Sequence, residues 1–446
     1  MKKIFLLSFV WMICCQTMAQ SPKITGHRSW SAQSNIYEVN LRQYTAAGTF
    51  NAFSKELPRL KKMGVEILWF MPITPIGIEG RKMSAADLGS YYSVRDYKNT
   101  NPEFGTLKDF TALVQKAHQL GFKVITDWVA NHSAIDNGWV STHPNFYTKG
   151  SDGKFISPFD WTDVYKLNYA DRELRDSMMD AMKFWLTKTK IDGFRCDVAE
   201  EVPEDFWKEC IESLRKIKDV FMLAEGNKPS LHQAGFDITY TWNTMSSMAD
   251  LYAKKISLRQ FDSSLNVSMK AYPSNAYRMY FTTNHDENSW AGTEFEKYGK
   301  ASKALSVFTM TYYQSVPLIY SGQEASNKKR LKFFVKDPIQ WEKYELADFY
   351  GRLLHLRRAN PALAADASYQ KLTTTNDDAI FSYLREKNGH KVLVILNLSD
   401  QPQTFQIKDK SIKGNPYNVF LFTKELVRPN TTMNIEPWGF IVYDYK

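Results

Sequence analysis

From Ile36 onward, short runs of β-branched and aromatic residues alternate with longer stretches in which apolar residues recur every three or four positions. Eight of the short runs read as strands: Ile36 to Leu41, Val65 to Met71, Lys123 to Trp128, Ile191 to Asp197, Val220 to Glu225, Phe236 to Tyr240, Arg278 to Thr283 and Val316 to Tyr320. Between them, Leu107 to Leu120, Glu173 to Thr189, Pro203 to Lys216 and Ala301 to Tyr312 carry helical spacing. Strand and helix in repeated alternation predict βα units, and eight such units predict an α/β protein built on a (β/α)8 TIM barrel. A doubly wound sheet would use the same alternation, but no Gly-rich dinucleotide loop follows the first strand.

Two segments break the pattern. Residues 132–166 are polar, aromatic and turn-rich, and they predict an excursion domain of about 35 residues after the third strand, where two to six residues would be usual. After Pro361 the helical spacing stops, and runs such as KVLVILNLSD (Lys391 to Asp400) and PWGFIVYDY (Pro437 to Tyr445) predict a C-terminal antiparallel β domain. The expected organisation is a barrel over residues 20–360 and a β-sandwich over 361–446. A chain of 446 residues has room for both.

Residues 1–19 have a different character. Lys2 and Lys3 precede an apolar run from Ile4 to Cys15, and small Ala19 follows, which predicts a cleaved secretory signal and an exported protein, periplasmic or secreted. Cys14 and Cys15 raise the alternative of lipid acylation, which the large Met12 and Ile13 before them disfavour. Cleavage leaves Cys196 and Cys210, too few for a disulfide framework or a zinc site. The net charge of +9 comes from scattered lysines and arginines, so a nucleic-acid face is not expected. No membrane span is expected in the mature chain, and oligomeric state is not legible.

Asp197 and Glu225 each close a strand-like run, 28 residues apart, and Asp286 follows 61 residues later. At about 30 residues per βα unit, these acids fall at the ends of strands four, five and seven, on the face where barrel enzymes carry their chemistry. One carboxylate that attacks an anomeric carbon and one carboxylic acid that protonates the leaving oxygen suffice to hydrolyse a sugar acetal. Arg195 stands two residues before Asp197, hence on the same face of the strand, where it would hold Asp197 ionised; Glu225, among other acids, would be pushed upward.

The stretches DWVANH (Asp127 to His132), GFRCD (Gly193 to Asp197), the strand ending at Glu225 and TTNHDE (Thr283 to Glu287) resemble those of the α-amylase superfamily, glycoside hydrolase family 13. GVEILWFMPI (Gly64 to Ile73) and FGTLKDF (Phe104 to Phe110) fit it too. The resemblance implies a retaining hydrolase of α-1,4-glucosidic bonds in starch-like glucans, with Asp197 as nucleophile, Glu225 as acid/base and Asp286 gripping the cleaved sugar. It also implies that His132, Arg195 and His285 contact sugar hydroxyls or orient the nucleophile, and that Tyr92 stacks on the sugar ring. DVAEEV (Asp197 to Val202) and YKLN (Tyr165 to Asn168) are closer to neopullulanases and cyclomaltodextrinases, so that specificity, or glucan transfer, is the alternative. A silent carbohydrate-binding barrel would have lost the acids, whereas all three and Arg195 are present. No cofactor is expected. Calcium-dependent members hold an ion with the residue at Asn131 and an acid that here aligns with Lys166, so calcium is not expected at that place and Lys166 is expected to bond Asn131 or a nearby carbonyl.

Overall fold

The computed structural model describes residues 26–81 and 86–445; the expected export signal lies outside the described residues. Among the described residues, eight parallel strands form the central sheet: β1 (Ile36–Val39), β2 (Ile67–Phe70), β3 (Lys123–Val129), β4 (Gly193–Asp197), β5 (Phe221–Ala224), β6 (Ile238–Tyr240), β7 (Tyr277–Met279) and β8 (Leu318–Tyr320). Each strand from β1 to β6 pairs with the next in the chain, and β8 returns to β1 with Leu318 opposite Ile36. The seam between β7 and β8 is closed by a bridge of Arg278 with Ser315 and by the Leu318 N–H, which donates to the Tyr280 carbonyl at 2.9 Å. The expected barrel is therefore the fold.

Strands such as β2 are buried along their whole length because helices cover the outside and side chains fill the inside. At β4 the neighbouring strand comes so close that a Cβ on Gly193 would run into the carbonyl of Phe221, which explains the glycine inside an otherwise apolar run. The hydrogen-bonded ladders are shorter than the apolar runs that predict them. The run from Arg278 to Thr283 supplies ladder only to Met279, and its remainder continues as buried chain toward the barrel mouth.

The expected helices form as α1 (Leu107–Gln119), α2 (Arg172–Lys188), α3 (Glu204–Arg215) and, later, Ser302–Thr311. α1 starts on a capping box: Thr106 Oγ1 accepts from the Asp109 N–H at 3.2 Å, and Asp109 Oδ2 accepts from the Thr106 N–H at 2.9 Å. Its Phe110, Leu113, Val114 and Ala117 face the sheet. Two helices beyond the expected set, α4 (Trp242–Tyr252) and α5 (Leu258–Ala271), lie between β6 and β7.

In the excursion, His132–Ala134 pairs antiparallel with Val164–Lys166, so the segment leaves and re-enters the barrel at one place. Past the barrel, six strands form an antiparallel sheet and two more, Gln403–Phe405 and Met433–Ile435, pair beside it. Alternation assigns the faces. Phe381, Tyr383, Val392, Val394 and Leu396 join the barrel core, while Ile380, Leu384, Leu393 and Ile395 form a second core with Phe405 and Ile435. Buried Arg385 ties the sheet to the barrel by donating to the carbonyls of Thr311 (2.8 Å), Tyr312 (2.6 Å) and Ala364 (2.7 Å). No helix among the described residues is long and apolar enough to cross a membrane.

Candidate active site

The carboxyl end of the barrel is organised around one guanidinium. Arg195, fully buried in β4, donates from Nη1 to Asp127 Oδ1 (2.8 Å) and Asp197 Oδ1 (2.9 Å), and its Nη2 lies 2.9 Å from Glu225 Oε2. Parallel register explains part of this, because Asp127 on β3 stands opposite Arg195 on β4 and Asp197 is two residues further on the same face. Arg195 Nε donates to the Tyr240 hydroxyl at 3.1 Å, and the Trp69 ring lies 5.1 Å from the guanidinium carbon. A planar fork with several donors is suited to such shared carboxylates.

Glu225 stands one residue beyond β5. Val198, directly after Asp197, takes φ 34° and ψ 48°, a left-handed conformation that a β-branched residue adopts at a cost of about 1–3 kcal/mol. The turn aims the Val198 N–H at Glu225 Oε2, 2.7 Å away, while the Ala199 N–H donates to the Glu225 carbonyl at 2.9 Å. Strain in the chain thus fixes the distance between the ends of β4 and β5.

Asp286 does not end a strand. It lies seven residues past Met279, where the buried chain turns into a short helical segment, Glu287–Ala291. Its neighbour His285 is held on both ring nitrogens: Nδ1 lies 2.5 Å from Glu38 Oε1 on β1, and Nε2 lies 2.7 Å from the Tyr92 hydroxyl and 3.3 Å from Asp286 Oδ2. The Tyr92 hydroxyl donates onward to Asp127 Oδ2 at 3.1 Å, and its ring stacks on His285 at 5.4 Å.

A cavity of about 380 Å³ opens above these groups, lined by Tyr92, His132, Asp197, Glu225, His285 and Asp286 together with Trp161, Trp290 and Phe333. Six of the seven expected site residues face one space, and Arg195 lies beneath it, in contact with the carboxylates. Trp290 is 58 % exposed and packs on Phe333 at 5.4 Å; Phe159 is 63 % exposed and packs on Trp161 at 4.8 Å. Exposed aromatic rings beside a cavity lined with acids provide flat apolar faces for sugar rings next to polar groups for hydroxyls.

Burial dominates the acid–base behaviour. It pushes Glu225 up to about 7, against the pull of Arg195 and with the help of the Asp197 and Asp286 charges. It also raises Asp197 to about 6, which corrects the expectation that Arg195 would simply hold Asp197 ionised. The reason is that the guanidinium is shared: Asp127, likewise raised to about 6, and Glu225 draw on the same cation. The two titrate as a coupled pair, and Asp197, which accepts a hydrogen bond from Arg195 Nη1, is the better placed of the two to stay ionised. Burial lowers His132 to about 3, so it is a neutral imidazole.

Sequence reasoning about the site passed over Glu38, Asp127, Trp69 and Tyr240, which form the layer under the cavity. Glu38 had a signal, as a single acid inside the apolar run IYEV, and Asp127 lies in the quoted DWVANH stretch. The aromatic flanks Phe159, Trp161, Trp290 and Phe333 come from three loops far apart in sequence and are brought together only by the barrel.

Lys166 stands opposite His132 in the excursion's strand pair, and the Asn131 amide turns to His132 Nδ1 at 3.4 Å rather than to Lys166. The expected Lys166–Asn131 bond is thus not the one formed. An amide that faces an imidazole, with an ammonium on the neighbouring strand, does not suit a hard divalent cation that seeks several oxygens. Excess chelator is accordingly expected to leave Tm and activity unchanged. A bound ion at 100 times its Kd would contribute about 2.7 kcal/mol, so a fall of several degrees that added calcium reverses would overturn this expectation.

The α-amylase catalytic-domain model matches residues 30–165 and 151–350, and the model of the α-amylase SusG C-terminal domain matches residues 380–442. The chain belongs to the α-amylase family of glycoside hydrolases and is a glycosidase of that family. It is similar to a maltogenic α-amylase of Thermotoga neapolitana whose crystal structure superposes with a TM-score of 0.84 at 30 % identity, covering 93 % of this chain and 99 % of that one. It is 26 % identical over 402 residues to α-amylase MalA of Haloarcula japonica, covering 84 % of this chain and 57 % of that protein. A cyclomaltodextrinase of a Bacillus species is 25 % identical over 378 residues, covering 78 % and 65 % respectively. The chain therefore spans less than two thirds of the length of these two relatives.

Proposed function

We propose that this glycosidase hydrolyses α-1,4-glucosidic bonds in starch-like glucans and maltooligosaccharides with retention of configuration. The observation that carries the reading is the placing of Asp197 and Glu225 on neighbouring nitrogens of the Arg195 guanidinium. A cation shared between two carboxyl groups supports the close setting, about 5–5.5 Å between them, that a nucleophile and its acid partner require. Asp197, the lower of the two in proton affinity, attacks the anomeric carbon. Glu225, kept protonated by burial, gives its proton to the leaving oxygen and then takes one from the incoming water or sugar hydroxyl. Asp286 and His285 grip hydroxyls of the sugar being cleaved, Tyr92 stacks on its ring, and His132 donates from the opposite wall.

A second reading, hydrolysis of cyclodextrins or pullulan or glucan transfer, is favoured by Ala199–Glu200–Glu201 after the nucleophile and by Lys166–Leu167–Asn168. The exposed Trp290 and Phe159 fit a wider or bent substrate equally well. Export belongs to the same reading and rests on residues 1–19.

The test is a product profile on starch, maltoheptaose, pullulan and cyclodextrin, followed by proton NMR during the first minutes. Maltooligosaccharides that appear first as the α-anomer are expected. Initial β-anomer would sink the mechanism, and turnover confined to cyclodextrin or pullulan would replace the first reading with the second.

A further inference from the structure

One buried acid in the site has no part in the reaction as written above. Glu38 is fully buried in β1, where a carboxylate is costly unless it is paired. Its Oε1 lies 2.5 Å from His285 Nδ1, and its Oε2 has no hydrogen-bond partner among the described residues. Its hydrogen bonding is directed at a single imidazole.

The protons on that imidazole can be counted from its neighbours. The Tyr92 hydroxyl donates its one proton to Asp127 Oδ2 at 3.1 Å, an oxygen that also accepts from Trp69 Nε1 at 3.2 Å. With the Tyr92 proton on Asp127, His285 Nε2, 2.7 Å from the Tyr92 oxygen, is the donor in that contact. Nδ1 faces a carboxylate, which only accepts, so it donates as well. An imidazole that donates from both nitrogens is an imidazolium.

We propose that Glu38 is a positioning residue which fixes His285 as an imidazolium, with Nε2–H turned to Tyr92 and Asp286, so that the sugar being cleaved meets a charged donor throughout the working pH range. The charged and titratable groups that face His285 are Glu38 from β1, Asp127 from β3, Arg195 from β4, Tyr92 from the loop after β2, and Asp286 beside it. Burial pulls His285 down and Arg195 opposes its charge, but Asp286 and Glu38 reverse both and raise it to about 9. Asp286 is 38 % exposed in its side chain and can be screened by water, whereas Glu38 is fully buried, where burial raises its pKa, the His285 and Arg195 charges oppose that rise, and its pull on the ring is less screened. With Nδ1–H taken by Glu38, the ring has only Nε2–H to share between Tyr92 and a sugar hydroxyl, and a charged donor makes the stronger hydrogen bond, so the imidazolium helps hold the sugar as it distorts. This last step rests on the hydrolase reading of the site; the assignment of the imidazolium does not.

The experiment labels histidine rings with carbon-13 and nitrogen-15 and follows their titration by NMR, with the His285 signal assigned by its loss in His285→Asn. In the wild type, His285 is expected to stay doubly protonated past pH 8. Glu38→Gln keeps the volume and an acceptor for Nδ1–H but removes the charge, and His285 should titrate about one pH unit or more lower. The kcat of that variant should change little at and below neutral pH, where the ring is still charged, and should fall below the wild-type value at each pH above it as the ring loses its proton earlier, with a smaller change in KM. Glu38→Asp, which keeps the charge, should recover part of that alkaline loss. A neutral His285 ring at pH 7 in the wild type overturns the proposal without any variant, and so does an unchanged ring titration in Glu38→Gln. If the ring behaves as expected while the wild type turns over no α-glucan, the hydrolase reading fails and the Glu38 assignment stands.

Discussion

Asp197→Asn is expected to lower kcat on a natural glucan by about 10⁴-fold or more while the protein stays folded. The change removes the atom that forms the covalent bond and almost nothing else. Asparagine has nearly the same volume, and its amide oxygen can still accept from Arg195 Nη1, which lies 2.9 Å from Asp197 Oδ1. Four decades in rate correspond to about 5.5 kcal/mol of lost transition-state stabilisation, more than any single hydrogen bond in the site supplies. Stability should move the other way. Asp197 and Asp127 are both raised to about 6 because burial makes their charges costly, and Glu225 competes with them for one guanidinium. Deleting one of these charges is expected to leave Tm unchanged or raise it, the usual relation where an active site stores unfavourable electrostatics. Thermal melts and initial rates on maltoheptaose, measured on one preparation, check both halves. More than a few per cent of residual rate would remove Asp197 from the role of nucleophile.

The barrel was legible because each of its strands is an apolar run punctuated by polar turns, and because acids recur near their ends at roughly the spacing of a βα unit. Strand limits were less legible. In a closed parallel barrel the ladder ends where neighbouring chains diverge, so the apolar run of 278–283 outlasts its hydrogen bonds and carries Asp286 well past the end of β7. α5 had a sequence signal in the Ser257 and Gln260 capping box and in Leu258, Phe261 and Leu265 on one face. α4, rich in serine, threonine and methionine, buries Met245, Met248 and Leu251 without a strong stripe, so tertiary packing rather than local pattern decides it.

The residues that face the cavity were legible for a different reason. Asp197, Glu225, Asp286, His132 and His285 each sit inside a short motif, and motif and barrel arithmetic place them at one mouth. The layer beneath was not. Glu38, Trp69, Asp127 and Tyr240 act through contacts between strands distant in sequence, and nothing local distinguishes a buried acid that holds a histidine from one that fills the barrel. Competition for Arg195 was invisible for the same reason: the two-residue spacing to Asp197 shows one partner, whereas the fold supplies three.

Glu225→Gln is expected to slow hydrolysis of unactivated glucans by about 10²- to 10⁴-fold, the range that a positioned general acid contributes. Its signature is the dependence on leaving group. Burial holds Glu225 at about 7, above Asp197 at about 6, so the wild type works while Glu225 is protonated and Asp197 is not. Rates should therefore fall as pH drops through the Asp197 titration and again as it rises through that of Glu225, giving a narrow bell near neutrality that belongs to the coupled pair. Glutamine cannot donate an acidic proton, so the alkaline limb should disappear from the variant while the acid limb stays. With α-maltosyl fluoride, whose departure needs no proton, the first step should be nearly as fast as in the wild type, and the covalent intermediate should accumulate because no base activates water. Added azide, a nucleophile that needs no base, should then restore turnover and yield the α-glycosyl azide, since inversion at each of two steps retains the α configuration. Equal losses on fluoride and maltoheptaose, without azide rescue, would assign Glu225 to binding and require another proton donor at the mouth of the barrel.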